Sequence, residues 1–380
     1  MKTLLALIFI FLSTITFSQY DDYRFNSFFE FYTNNYLNTE SSGRGFTGLA
    51  FENDISGLII NPATVTLNKK YQLNFQYTFK GRQPWLENMG FNDIGLKHQL
   101  FSASAGFGWK VNKNFQTGFV YSNPQGMYFD LGEIIRTDEF GNELSRYDGY
   151  ENISKHSFSI PLIINTGSLT SAVNLNYIYA RFSTPGVLFT TIEFPNGNSN
   201  VDDFTGHTNI FTTDIGLMYK LSQFLTAGIS VSTGMITNNT YKLPDGSRET
   251  THSTIPWKGG AGFSYLIPNS QWKIGFDYIY NRTSAVRNLK DRHDFHIGAE
   301  GPVNKNVIFR AGFFTMLDNR IDDGSVDWFD KPGDYDQYFI TLGGSYKHKD
   351  TRYNLALMTS QISPGKIKNL IINGGATFNF

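Results

Sequence analysis

The stretch YQLNFQYTFK puts Tyr71, Leu73, Phe75, Tyr77 and Phe79 on one face of an extended chain and Gln72, Asn74, Gln76, Thr78 and Lys80 on the other. Alternation this strict is the mark of a β-strand whose two faces meet unlike surroundings. It returns at Trp272, Ile274, Phe276, Tyr278 and Tyr280, which alternate with Gln271, Lys273, Gly275, Asp277 and Asn281. It returns again where Leu370, Ile372, Ala376, Phe378 and Phe380 oppose Asn369, Asn373, Thr377 and Asn379.

Fourteen segments carry the pattern, near 69–80, 98–110, 114–123, 155–164, 168–181, 209–220, 224–235, 256–266, 270–281, 292–301, 306–316, 336–347, 351–361 and 367–380. The links between them sort by parity. One set is short (111–114, 165–167, 221–223, 267–269, 302–305, 348–350), and the other is mostly long, notably 124–154, 182–208, 236–255 and 317–335. A soluble β-sandwich also alternates, but it has no reason to place short turns at one end and long loops at the other. The 21 Tyr and 35 Phe suit the aromatic girdles of a barrel in lipid. Lipid offers the backbone no hydrogen-bond partners, so a spanning sheet must close on itself. These features predict an all-β fold, a transmembrane outer-membrane β-barrel of about fourteen antiparallel strands over 69–380.

The opening MKTLLALIFIFLSTITFSQ reads as a signal peptide over 1–18, with one Lys, a short apolar run and small residues before the cut. Beyond it no apolar run approaches the ~20 residues of a membrane helix. The absence of cysteine excludes disulfides and a lipid-modified N-terminus, and a net charge of -1 gives no electrostatic case for nucleic acid. Residues 19–68 are left outside the wall. Within them GRGFTGLAFENDISGLIINPATV has glycines that permit close backbone approach. It also has an apolar Leu58, Ile59 and Ile60, and an Asn61-Pro62 pair suited to a turn.

This segment resembles the N-terminal hatch of the FadL-type outer-membrane transporters of long-chain fatty acids and other hydrophobic compounds. The matching residues are Gly43, Arg44, Gly45 and Phe46, then Asp54, then Asn61, Pro62 and Ala63. The chain departs from that pattern at Thr64, where the family more often has Gly, and at the larger Phe51, Glu52 and Asn53. The resemblance implies a fourteen-stranded barrel plugged by residues 19–68 and passive passage of a hydrophobic small-molecule ligand, gated by the hatch without a cofactor. It also implies sideways release through a kink in the third strand, for which Pro124 and Gly126 are the candidates; the same residues could equally begin a long loop. Phe380, closing an alternating strand, resembles the signal read by the outer-membrane assembly machinery.

Alternation carries Lys273, Asp277 and Arg310 to the lumen together with Ile178, Ile279, Phe314 and Ile371. Such a mixed lining suits an amphipathic ligand, its tail on the aliphatics and its head on a cation; alternatively Lys273 and Asp277 pair across the lumen and hold the barrel's shape. No catalytic constellation is present. The seven His are scattered, and His293 and His296 point to opposite faces of a strand, so no metal site is expected. The acidic run 318–336 reads as a solvated loop rather than a calcium site. The aromatic-rich stretch that includes Phe25, Phe28, Phe29 and Phe31 has no assignable role. The second functional reading is a barrel of this architecture that shuttles or scaffolds cargo in type IX protein secretion with other envelope proteins. The sequence style is reminiscent of Bacteroidetes, and the expected location is the outer membrane of a Gram-negative cell, in contact with its lipid.

Overall fold

The computed structural model describes residues 37–80, 95–97, 103–137, 143–184, 187–189, 199–201, 204–242, 248–285, 289–321, 336–363 and 369–380. The expected signal peptide, the aromatic-rich stretch before residue 37 and most of the acidic run 318–336 lie outside the described residues.

Fourteen antiparallel strands form one closed wall: β1 (Tyr71–Lys80), β2 (Gly95–Lys97 and Ala103–Lys110), β3 (Phe115–Thr137), β4 (Glu143–Asn165), β5 (Leu169–Thr184), β6 (Phe204–Lys220), β7 (Leu225–Ser232 and Met235–Lys242), β8 (Arg248–Ile255 and Lys258–Leu266), β9 (Lys273–Asn281), β10 (Arg292–Pro302), β11 (Val307–Met316), β12 (Gln337–His348), β13 (Thr351–Thr359) and β14 (Leu370–Asn379). Each pairs with its neighbours in sequence, and β1 pairs with both β2 and β14, which closes the ring. At the closure Tyr71 and Phe380 exchange backbone hydrogen bonds of 2.9 and 3.0 Å. A closed ladder leaves no exposed edge.

The burial pattern is inside-out relative to a soluble protein. Phe75 and Phe79 are 49% and 50% exposed, whereas their neighbours Asn74, Gln76 and Thr78 are buried in the lumen. The outer face carries Phe119, Ile160, Leu162, Leu217, Ile229, Ile297 and Leu355, all exposed. The short turns are built by side-chain acceptors. In the Val-Asn-Lys-Asn turn before β3, Asn112 Oδ1 accepts the N–H groups of Asn114 and Phe115 at 2.8 and 2.9 Å, and the same four residues before β11 repeat the geometry through Asn304. Lys69 clasps Asp350 of the β12–β13 turn at 2.7 Å.

Two expectations from sequence are corrected. The stretches 124–154 and 236–255 are not mainly loop: β3 runs on to Thr137, β4 starts at Glu143, and β7 and β8 extend to Lys242 and from Arg248. Past the apolar band both faces meet polar surroundings, so the ladder continues while the alternation that announces it fades. Nor does Pro124 end the third strand. The β3–β4 ladder crosses it with a register shift between Ser122 and Gln125, the way a ladder accommodates a residue that has no N–H to donate.

Residues 37–67 lie inside this ring. They form a short helix α1 (Thr39–Gly43) and two 3-10 turns, Ile55–Ile59 and Pro62–Thr64. Asn38, Asp54 and Asn61 are the N-caps, each side chain accepting a backbone N–H two or three residues on, and Pro62 occupies the first-turn position where a missing N–H costs nothing. A parallel bridge between Asn53 and Val65 folds the segment back on itself. Ile55, Leu58, Ala63, Val65 and Leu67 then pack on Val120, Ile163, Ala172 and Met218 of the wall.

Candidate functional site: the occupied lumen

The wall meets the inner segment backbone to backbone. A β-carbon on Gly228 would fall on the carbonyl oxygen of Leu49, one on Gly298 on that of Arg44, and one on Gly343 would lie 2.7 Å from the Cα of Gly43. Gly45 adopts φ 67°, so it needs the left-handed region that glycine occupies freely, and its N–H donates to Thr341 Oγ1 at 2.8 Å.

Charge holds the same contacts. Arg44, with no exposed surface, pairs with Glu300 at 3.0 Å, donates to Thr47 O and Asn53 Oδ1 at 2.8 and 2.7 Å, and lies 4.6 Å from the Phe51 ring centroid. Glu40 receives Arg352 at 2.5 Å and Arg310 at 3.3 Å. Arg310 also bonds Glu300 at 3.0 Å and donates to Ser345 Oγ. Asp54 Oδ2 accepts Thr377 Oγ1 at 2.6 Å and Asn74 Nδ2 at 2.9 Å. Asn61 Nδ2 donates to Leu49 O at 2.7 Å and to the wall at Leu217 O at 3.3 Å, and Ala63, beside Pro62, is buried.

The cations and carboxylates that alternation sends to the lumen thus have partners other than those the sequence suggests. Asp277 Oδ2 accepts the N–H groups of Gly48 and Leu49 at 2.6 and 3.0 Å, and its other oxygen fills the space left by Gly262. Lys273 is half-buried and stands opposite Glu300, the neighbour of Arg310 in the ladder. Asp277 and Arg310 grip the inner segment. Glu40, Glu300 and Arg352 complete this network; the alternation at β10 and β13 places Glu300 and Arg352 on the lumenal side, a signal that could have found both, whereas Glu40 sits in a helix of five residues with no periodicity to read. Outside the wall strands, the hydrogen bond from Lys69 holds the Asp350 carboxyl below its usual range.

On the long-loop side of the segment the lumen has two unlike walls. Phe314 stacks on Phe339 at 4.4 Å between centroids and meets Phe46 edge-on at 5.1 Å, with Ile279, Met316, Met358 and Ile371 buried on β9, β11, β13 and β14. Across from them Asp214 accepts Asn176 Nδ2, Asn174 Nδ2 and Ser232 Oγ at 2.7, 3.1 and 2.6 Å. Ile178 lies on this polar side, opposite Ile210 in the ladder. Lys258, exposed and without an ion pair among the described residues, stands between Ser232 and Asn281 in the cross-strand register. His293 meets Tyr278 on the outer face while His296 faces Phe46 in the lumen. Among the described residues no group of three or more His, Cys, Asp or Glu is arranged to hold a metal ion, and no helix is long and apolar enough to cross a membrane.

No protein-family model matches this chain, and no curated protein matches it. Solved structures do. The Pseudomonas putida toluene transporter TodX superposes with a TM-score of 0.60 at 14% identity over 90% of this chain and 97% of that one. A Pseudomonas aeruginosa FadL homologue gives 0.60 at 14% identity over 90% and 98%, and the Ralstonia pickettii toluene transporter TbuX 0.59 at 14% over 90% and 98%. The chain has the fold of the FadL-type barrels.

Proposed function

We propose that this fold serves as an outer-membrane channel for hydrophobic or amphipathic compounds, with long-chain fatty acids the leading class and residues 19–68 as a hatch that shifts to let ligand pass. The observation that carries the reading is the aromatic patch of Phe46, Phe314 and Phe339, lying on a segment that occupies the lumen of a barrel shaped like hydrocarbon transporters. An apolar tail rests there, and a polar head reaches the hydroxyl, amide and Lys258 side of the lumen. Passage down a gradient needs no nucleotide and no cofactor, and no covalent step is assigned to the chain.

Ligand leaves through the register shift between Ser122 and Gln125, which holds Pro124 and is followed by Gly126, where the β3–β4 ladder is interrupted. The ligand groups expected from sequence divide accordingly: Phe314 and Ile279 line the tail site, while Lys273, Asp277 and Arg310 act on ligand only by holding or releasing the hatch. Native mass spectrometry with lipid extraction on the barrel from its own membrane tests this. A bound amphiphile that disappears in Phe314→Ala supports the channel. An empty lumen with a stoichiometric envelope protein would replace it with the secretion reading.

A further inference from the structure

On the outer face, β11, β12 and β13 leave a groove of about 530 Å³ lined by Val307, Phe309, Leu342, Tyr346, Tyr353 and Leu355 among others. That volume lies within the ~300–1,000 Å³ usual for small-molecule sites. Its floor is Gly344: a β-carbon there would meet nothing nearer than Ile308 O at 3.6 Å. The cross-strand neighbour Leu355 is 62% exposed. On its other side Leu355 pairs with Gly374, where a β-carbon would meet nothing within 4 Å. Leu355 is therefore a ridge between two hollows that run along the barrel wall.

The hollows end at charge. Tyr346 and Tyr353, a cross-strand pair each about half exposed, close the groove toward the short turns. Beyond them stand Lys305, His348 and Lys349, all exposed, and neither lysine forms an ion pair among the described residues. Asp350, the carboxylate of these two turns, is already taken by Lys69. The basic arc runs on through Lys69 and Lys70 to Lys113 of the 111–114 turn, whereas the short turns of the rest of the ring, 165–168, 221–224 and 267–272, carry no charge at all. From Tyr346 to Leu342 the strand rises about 13 Å at ~3.3 Å per residue. At the usual ~35–45° tilt of a barrel strand this is a depth of about 10 Å, two thirds of the ~15 Å of one leaflet, half of a hydrocarbon core of about 30 Å.

We propose that this surface binds one anionic diacyl phospholipid of the leaflet at the short-turn end. One acyl chain lies in the Gly344 hollow and the other in the Gly374 hollow, on either side of Leu355. The phosphate sits on Lys305 and Lys349, with the Tyr346 and Tyr353 hydroxyls as donors. A single basic arc over a double groove selects such a lipid from the surrounding bilayer, whereas a uniform ring of lysines would bind the annulus without preference. The proposal rests on the barrel spanning a bilayer and not on what passes through the lumen.

The test is native mass spectrometry of the full chain, reconstituted with equal phosphatidylglycerol and phosphatidylethanolamine and released into mild detergent. One retained phosphatidylglycerol per barrel, enriched several-fold over phosphatidylethanolamine, is expected. Gly344→Phe should abolish retention, and the pair Lys305→Gln with Lys349→Gln should return the retained lipid to the bulk ratio. Phe314→Ala, inside the lumen, should leave it unchanged, which separates this lipid from any transported ligand. Heat-shifted gel mobility verifies folding, and Gly374→Phe stands in should Gly344→Phe fail to fold. Bulk-ratio retention by the parent chain, retention unaffected by the lysine and groove variants, or a second protein bound there in place of lipid would each overturn the assignment.

Discussion

Glu40 of the inner segment and Arg310 of the wall form an ion pair of 3.3 Å with both side chains almost wholly withdrawn from solvent. Arg310 is shared with Glu300, and Glu40 with Arg352, so the pair belongs to a network of alternating charges that ties segment to wall. Breaking a buried pair from one side costs about 3–5 kcal/mol because the abandoned charge stays buried. Arg310→Met should therefore release the inner segment well below the temperature at which the barrel unfolds, seen as new protease cuts between residues 37 and 67. Glu40→Gln should do less, since the amide oxygen can still accept from Arg310 and Arg352. Identical cleavage in both variants and the parent would show that the network holds nothing.

Gly228 faces the Leu49 carbonyl so closely that even an alanine methyl has no room. Gly228→Ala should expel the neighbouring part of the segment without preventing barrel assembly. In planar bilayers the variant should conduct small ions that the parent blocks. Gly374→Ala, on the open outer face, is the matched control and should conduct like the parent.

Asp277 accepts two N–H groups through one oxygen, and bonds to a charged acceptor contribute about 1.5–3 kcal/mol against ~1 for neutral ones. Asp277→Asn should speed amide exchange at Gly48 and Leu49 by roughly tenfold, the equivalent of ~1.4 kcal/mol. Exchange elsewhere in the wall should not change.

Phe314 is buried between Phe46 and Phe339. Truncation to Ala removes the ring against which half-buried Phe46 packs, so the tail site should lose its shape and a fluorescent fatty-acid analogue should bind roughly tenfold more weakly, about 1.4 kcal/mol, to the detergent-solubilised barrel. An unchanged affinity would move the ligand site away from this patch.

The extra residue near Pro124 puts the β3–β4 ladder out of register by one. Deleting Pro124 should remove this shift and leave those between Asp130 and Gly132 and between Arg136 and Thr137. If ligand leaves there, the deletion should slow transfer of the analogue into the lipid of proteoliposomes while the melting temperature stays level or rises.

The wall was legible in the sequence because lipid outside and a filled lumen inside impose opposite demands on successive residues. Tyr71–Lys80 states its own register, and all fourteen strands fall where the alternation puts them. Legibility fails where that contrast fails. Glu143–Asn165 begins as ELSRYDGYEN, polar on both faces, and so read as loop. The inner segment was visible only by resemblance, since its backbone is shaped by caps and wall contacts rather than by a period. Arg310 and Asp277 were correctly sent inward, but nothing in a single strand says whether an inward charge meets a solute or a folded peptide.

The glycines of β7, β10 and β12 give the lumen the relief of one particular backbone, with Leu49, Arg44 and Gly43 pressed into it. A mould of this kind fits a single casting. Segment and barrel are therefore one heritable unit: a chimera carrying another barrel's N-terminal stretch should fail on shape before charge is ever tested, and the two parts can diverge only by matched change.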